Sequence, residues 1–159
     1  MISKLTHFDQ DGNALMVDVG DKPKSKRVAI ASCQIKMERG TLVTIMEGTS
    51  KKGDVLGVAR LAGIMGSKQT ANLIPLCHPL GLDHIKLDLE TDPTIPGVKI
   101  SATCSVEGST GVEMEAMVAA STAALTIYDM CKAVDRKMEI SDLKLVHKSG
   151  GKSGTFDAK

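Results

Sequence analysis

A chain of 159 residues is one domain's worth, long enough to bury on the order of 70% of its unfolded surface. Apolar residues make up 42% and charged residues 25%, which excludes wholesale disorder. Aromatics are only 2% (Phe8, Phe156, Tyr128, no Trp) and net charge is +1, so neither an aromatic platform for single strands nor a broadly basic surface is available.

Residues 1–26 read as irregular, with Gly12, Gly20, Pro23 and scattered charge around one short strand-like run at 16–19. Residues 1–12 lack the apolar run of a signal peptide, and no stretch approaches the roughly 20 apolar residues of a membrane span. Cys33, Cys77, Cys104 and Cys131 stand 44, 27 and 27 residues apart with no CxxC pair, so a zinc ribbon or redox motif is not supported. Without a signal peptide, the expectation is reduced thiols in a cytoplasmic protein.

From residue 27 the pattern becomes regular. A β-rich run over 27–37 predicts a strand. Leu42, Ile45 and Met46 predict a helix over 39–47, ended by Gly48. Residues 53–68 carry a helical period, with Asp54 in the first turn. Residues 70–81 (TANLIPLCHPLG) have two prolines and no period, so they read as an unusually apolar loop. Alternation over 84–90 and 98–106, around Asp92, Pro93, Pro96 and Gly97, predicts a hairpin over 83–107. A long Ala-rich helix over 111–136 and a strand over 138–146 follow. The remainder is rich in Gly and Lys and is expected to be mobile without a ligand.

The order β, α, α, β, β, α, β, with the first two helices as one crossover, is βαββαβ. That predicts an α+β fold, the ferredoxin-like plait, with one antiparallel sheet and helices on one face. The boundaries are an irregular segment at 1–26, the plait at 27–147 and a flexible tail at 148–159. The uncovered sheet face, and small residues (Ala116, Ala119, Ala120, Ala123, Ala124) that allow close approach to a neighbour, both favour an oligomer.

Several clusters have residue types suited to chemistry. Thr110 and Glu113 fit a capping box at the start of the long helix. At about 100° per residue, Glu115, Thr122 and Asp129 fall within about 40° of one another on that helix, with Lys132 about 60° beyond Asp129. Asp129 and Lys132, three residues apart, form either a surface ion pair or part of a site. Glu115 and Asp129 are about 21 Å apart along the axis, too far for one small substrate. Lys51 and Lys52 precede a helix N-terminus and suit an anion. His78, between Pro75 and Pro79, is either a structural residue or a rigidly held ligand group. Lys148 to Gly154 lacks the spacing and following helix of a Walker loop, but suits a tail that closes on phosphate. No Cys, His or Asp spacing supports a structural metal.

MVDVGDK at 16–22, KKGDV at 51–55, LIPLCHPL at 73–80, TGVEMEA at 110–116, ALTIYDMCKAVD at 124–135 and KSGGKSG at 148–154 resemble the cyclic pyranopterin monophosphate synthases, the molybdenum-cofactor biosynthesis protein C family. The resemblance runs from about residue 5 to 156. It implies conversion of 3′,8-cyclised dihydro-GTP to cyclic pyranopterin monophosphate with release of pyrophosphate. It also implies a plait fold and a homohexamer, a trimer of dimers with sites between subunits. By motif, it carries catalytic roles to Asp129, Lys132 and Lys52. Substrate binding falls to Leu76, Cys77, His78, Glu113, Met114, Glu115, Lys148 and Lys152, and matching basic positions to Lys22, Arg27 and Lys68. Lys52 and Lys132 are the expected proton-transfer pair, through lysines that depress one another's pKa. No cofactor is implied with certainty, the sequence does not decide whether Mg²⁺ accompanies the triphosphate, and neither nucleic acid nor membrane is an expected partner. The rival reading is a plait that binds a nucleotide without turnover. RNA binding through the sheet fails on the aromatic count.

Overall fold

The computed structural model describes residues 7–158. The elements are β1 (Ser25–Lys36), α1 (Arg39–Met46), α2 (Val55–Ser67), α3 (Thr70–Leu73), β2 (His84–Asp92), β3 (Gly97–Gly108), α4 (Glu113–Cys131), β4 (Glu139–Ser149) and β5 (Phe156–Asp157). All strand pairs are antiparallel, in the order β2-β3-β1-β4-β5. The first four strands and the α1–α3 and α4 crossovers make the expected plait.

Strand alternation fixes which side is core. Cys33 pairs with Ile100 and Ile100 with Leu89; Ala31 pairs with Ala102 and Ala102 with Leu87. These rows face the helices and build the core with Ile127, Ala120 and Ala124 of α4. The opposite face carries Ser32, Gln34, Lys86, Asp88, Glu90, Lys99, Ser101 and Thr103, none of them buried, with half-buried Val28 and Ile30 at one end. An antiparallel sheet with such a polar face can meet water directly. The small residues of α4 are also satisfied within the chain. A Cβ on Gly63 of α2 would stand 2.8 Å from the Ala119 carbonyl oxygen and 2.4 Å from Leu87 Cδ2. One on Gly66 would stand 2.5 Å from Thr122 Oγ1. Within the chain, α2 takes the close approach that the small residues of α4 allow, and polar side chains take most of the open face.

Three details differ from the sequence reading. The apolar loop over 70–81 opens with the short α3, whose Thr70 hydroxyl donates to the Ser67 carbonyl at 2.8 Å. α4 ends at Cys131, well before 136, because the chain turns there to bury Asp135. The Asp135 carboxylate accepts from Glu38 N at 2.8 Å and Lys137 N at 3.0 Å, tying the end of β1 to the approach to β4. β4 runs two residues past the expected boundary at 147, and the chain then returns to pair as β5. His147 Nδ1 and Asp157 Oδ1 lie 2.7 Å apart across that pair.

Candidate active site

The candidate residues gather at the two ends of α4. At the carboxyl end, Asp129 Oδ1 is 2.6 Å from Lys132 Nζ. Lys52 Nζ lies 3.7 Å from Asp129 Oδ2 and donates to the Asp129 carbonyl at 3.0 Å. The last carbonyls of a helix carry partial negative charge, so two cations are well placed there. Gly53, at φ +87°, allows the turn that carries Lys52 to this end. The amino end of α2 is capped instead by Asp54, whose carboxylate accepts from Gly57 N at 2.9 Å. The lysine pair does not form an anion site with that helix, because an acid already occupies its positive end.

The charges at this end set each other's pKa. Lys132 first, then Lys52, holds the Asp129 carboxyl below the usual carboxylate range. Asp129 in turn raises the Lys132 ammonium. The expected mutual lowering among lysines is not the effect that governs Lys132 in the single chain, because its nearest neighbour is an anion.

At the amino end of α4, the expected capping box does not form. Val112 is the N-cap, without a side-chain cap, and Glu113 is already the first helical residue. Thr110 therefore lies too far back to cap. The Glu113 carboxylate faces Lys148 instead, at 3.7 Å. A bulge makes this contact: Ala31 pairs with Leu145 but Ile30 pairs with His147, so Val146 is extra. Lys148 then pairs with Ala29 and lies on its buried face of the sheet. In an unbroken register that place would belong to His147.

Two adjoining cavities open here. One, of about 290 Å³, is lined by Leu76, Cys77, His78, Glu113, Met114 and Glu115. His78 Nε2 donates to the Val17 carbonyl at 2.7 Å and pins the strap that brings Lys22 to the rim. The other, of about 580 Å³, is lined by Lys22, Arg27 and Lys152 together with Ser25, Ser109 and Thr110. Arg27 is fixed there by donating from Nε to the Gly108 carbonyl and from Nη2 to the Ser109 carbonyl, both at 3.3 Å. Lys68 joins neither end; it is the exposed C-cap of α2.

Glu115 is 5% exposed, and burial first, then the neighbouring Glu113 charge, raises its pKa. Burial and Glu115 together also raise Cys77, while Cys33 is pushed up to about 11 and Cys104 to about 12. All four cysteines are free thiols. Between the ordinary Glu value of 4.5 and its raised value, the folded chain binds more protons than the unfolded one. Stability therefore falls as pH rises through that window. Glu115→Gln is expected to raise the melting temperature at pH 7, at roughly 2–4 °C per kcal/mol for a chain of this size. Thermal scans across pH should show the gain shrinking as pH drops from the raised value toward 4.5, and gone below 4.5, where the wild-type carboxyl is protonated in both states.

Among the described residues, no three His, Cys, Asp or Glu side chains converge as a metal site, and no helix is long and apolar enough to cross a membrane. Sequence reasoning missed Ser25, Ser109 and Thr110 as cavity wall; only their place beside Arg27 and the helix start marks them.

The MoaC family model matches residues 16–151. A cyclic pyranopterin monophosphate synthase of Jannaschia sp. is 59% identical over 157 residues, covering 99% of this chain and 96% of that protein. The protein of the same name from Cereibacter sphaeroides is 58% identical, covering 99% of both chains. That of Clostridium botulinum is 55% identical, covering 98% of each. With its plait, its two-ended cluster on α4 and this near full-length similarity, the chain belongs to the MoaC family.

Proposed function

We propose that this chain is a lyase that converts 3′,8-cyclised dihydro-GTP into cyclic pyranopterin monophosphate, releasing pyrophosphate, in the cytoplasmic synthesis of the molybdenum cofactor. The observation that carries this reading is the pairing, on one helix, of a cation–carboxylate cluster with an acid-lined cleft that opens beside a cationic cavity. The cationic cavity suits the triphosphate. Lys22, Arg27 and Lys152 supply the positive charge that pyrophosphate needs as a sugar hydroxyl attacks the α-phosphorus in line. Lys148, beside Glu113, donates to the Ser153 hydroxyl of that cavity's wall. The tail turn at 150–154 opens to admit the phosphates and closes over them.

The cleft beside it suits the purine-derived ring, with Leu76, Cys77, His78 and Met114 as walls. Ring opening and reclosure need groups that give and take protons. Glu115, with its raised pKa, holds a proton further toward neutrality than an ordinary Glu. Lys132 beside Asp129 is an ammonium, the acid of the pair, and Lys52 is its partner in proton transfer. Lys132 works as a base only where further positive charge crowds it, as the triphosphate lysines of a second copy would. Mg²⁺ enters, in this reading, bound to the triphosphate.

Asp129 and Glu115 are about 21 Å apart along α4, so one chain cannot bring both ends to one substrate. The ends meet between copies, in a homohexamer built as a trimer of dimers. Light scattering should give about six times the 16.8 kDa chain mass. The test of the activity is pyrophosphate release on supplying the 3′,8-cyclised nucleotide. Release in step with pterin formation is expected; binding without release would favour the non-catalytic plait instead.

A further inference from the structure

Ser25 opens β1 and pairs with Gly108. It lies on the same face as Arg27 and Ala29, the helix face of the sheet. α4 begins too late to cover this end of the row, so Ser25 becomes part of the wall of the cationic cavity. Its Oγ is a buried side-chain oxygen without a hydrogen-bond partner, the only such side-chain atom among the described residues. An unsatisfied buried hydroxyl is a net cost, and a strand start would be better served by Val or Ile. Three cations line the same cavity (Lys22, Arg27 and Lys152) and no carboxylate does. A fourth cation would add self-repulsion in the empty cavity, whereas a neutral hydroxyl adds a directional donor without charge.

We propose that Ser25 is a further substrate-binding residue. Its hydroxyl turns into the cavity by a step about χ1 and donates to an oxygen of the substrate's terminal phosphates, the pair that leaves as pyrophosphate. This rests on the cavity being the polyphosphate site. The unpaired state of the hydroxyl in the free protein is what leaves it ready for that oxygen.

The test is calorimetry with inorganic pyrophosphate on the full chain, comparing Ser25→Thr with Ser25→Val. The two side chains match in shape and differ in the hydroxyl. Ser25→Val is expected to bind pyrophosphate roughly tenfold to a hundredfold more weakly than Ser25→Thr, the scale of one hydrogen bond to a charged group. Its melting temperature should equal or exceed that of the Thr variant, since the hydroxyl has no partner in the free protein. Equal affinity in the two variants, with binding lost in Lys152→Ala, would overturn the role of Ser25 and leave the cavity reading standing. Weaker binding together with a lower melting temperature in Ser25→Val would make the hydroxyl structural and overturn the proposal. Pyrophosphate binding that is absent, or indifferent to Lys152→Ala, would remove the cavity reading and the proposal with it.

Discussion

Asp129→Asn and Lys132→Ala are each expected to lower turnover by at least about 100-fold, the scale of a lost acid–base group. Folding and assembly should be nearly unaffected. The two side chains are 61% and 53% exposed, and exposed ion pairs add little stability. Asn keeps the shape of Asp129 but removes the charge that raises Lys132 and draws Lys52 in. The effect on catalysis therefore comes from lost proton handling rather than lost packing. Whatever small stability the Asp129 charge supplies is present above the ordinary carboxyl value and lost as pH falls through its lowered one. Melting curves of wild type and Asp129→Asn should accordingly converge in acid. Normal turnover in either variant would make that residue part of a plain surface ion pair.

Much of this architecture is legible in the sequence because local pattern decided it. Alternation at Ile85, Leu87 and Leu89 and the Pro–Gly turn near Pro96 mark the β2–β3 hairpin without reference to anything distant. The Asp129–Lys132 contact is legible for the same reason, since both residues sit one helical turn apart. What failed depended on long-range partners. The capping box at Thr110 looked complete, but the chain enters α4 two residues later, at Val112, and Glu113 faces Lys148 on a distant strand. The bulge at Val146 that turns Lys148 inward leaves no trace in residue type. Pattern alone places Gly63 and Gly66 only within a helical run, although they are the sockets that receive Ala119 and Thr122.

The division of the site between the ends of α4 predicts a second large effect. Lys132→Ala leaves the amino-end cavities intact, and Glu115→Gln leaves the carboxyl-end cluster intact, because the two lie about 25 Å apart along the helix. Alone, each variant is expected to lose most of its turnover, the first for want of an acid and the second for want of the buried carboxyl. Neither change touches the core that joins α2, α4 and the sheet, so mixed assemblies should form. If the two ends meet across copies, one pairing in four in a random equimolar mixture joins an unaltered cluster to an unaltered cavity.

Turnover of assemblies co-expressed from Lys132→Ala and Glu115→Gln chains is therefore the most direct measurement. Recovery to about one quarter of the wild-type rate is expected for a site shared between symmetry-related copies. Turnover no higher than the sum of the two variants, in assemblies shown to contain both chains, would contradict the shared site. It would also leave Asp129 and Glu115 as parts of two separate surfaces on α4.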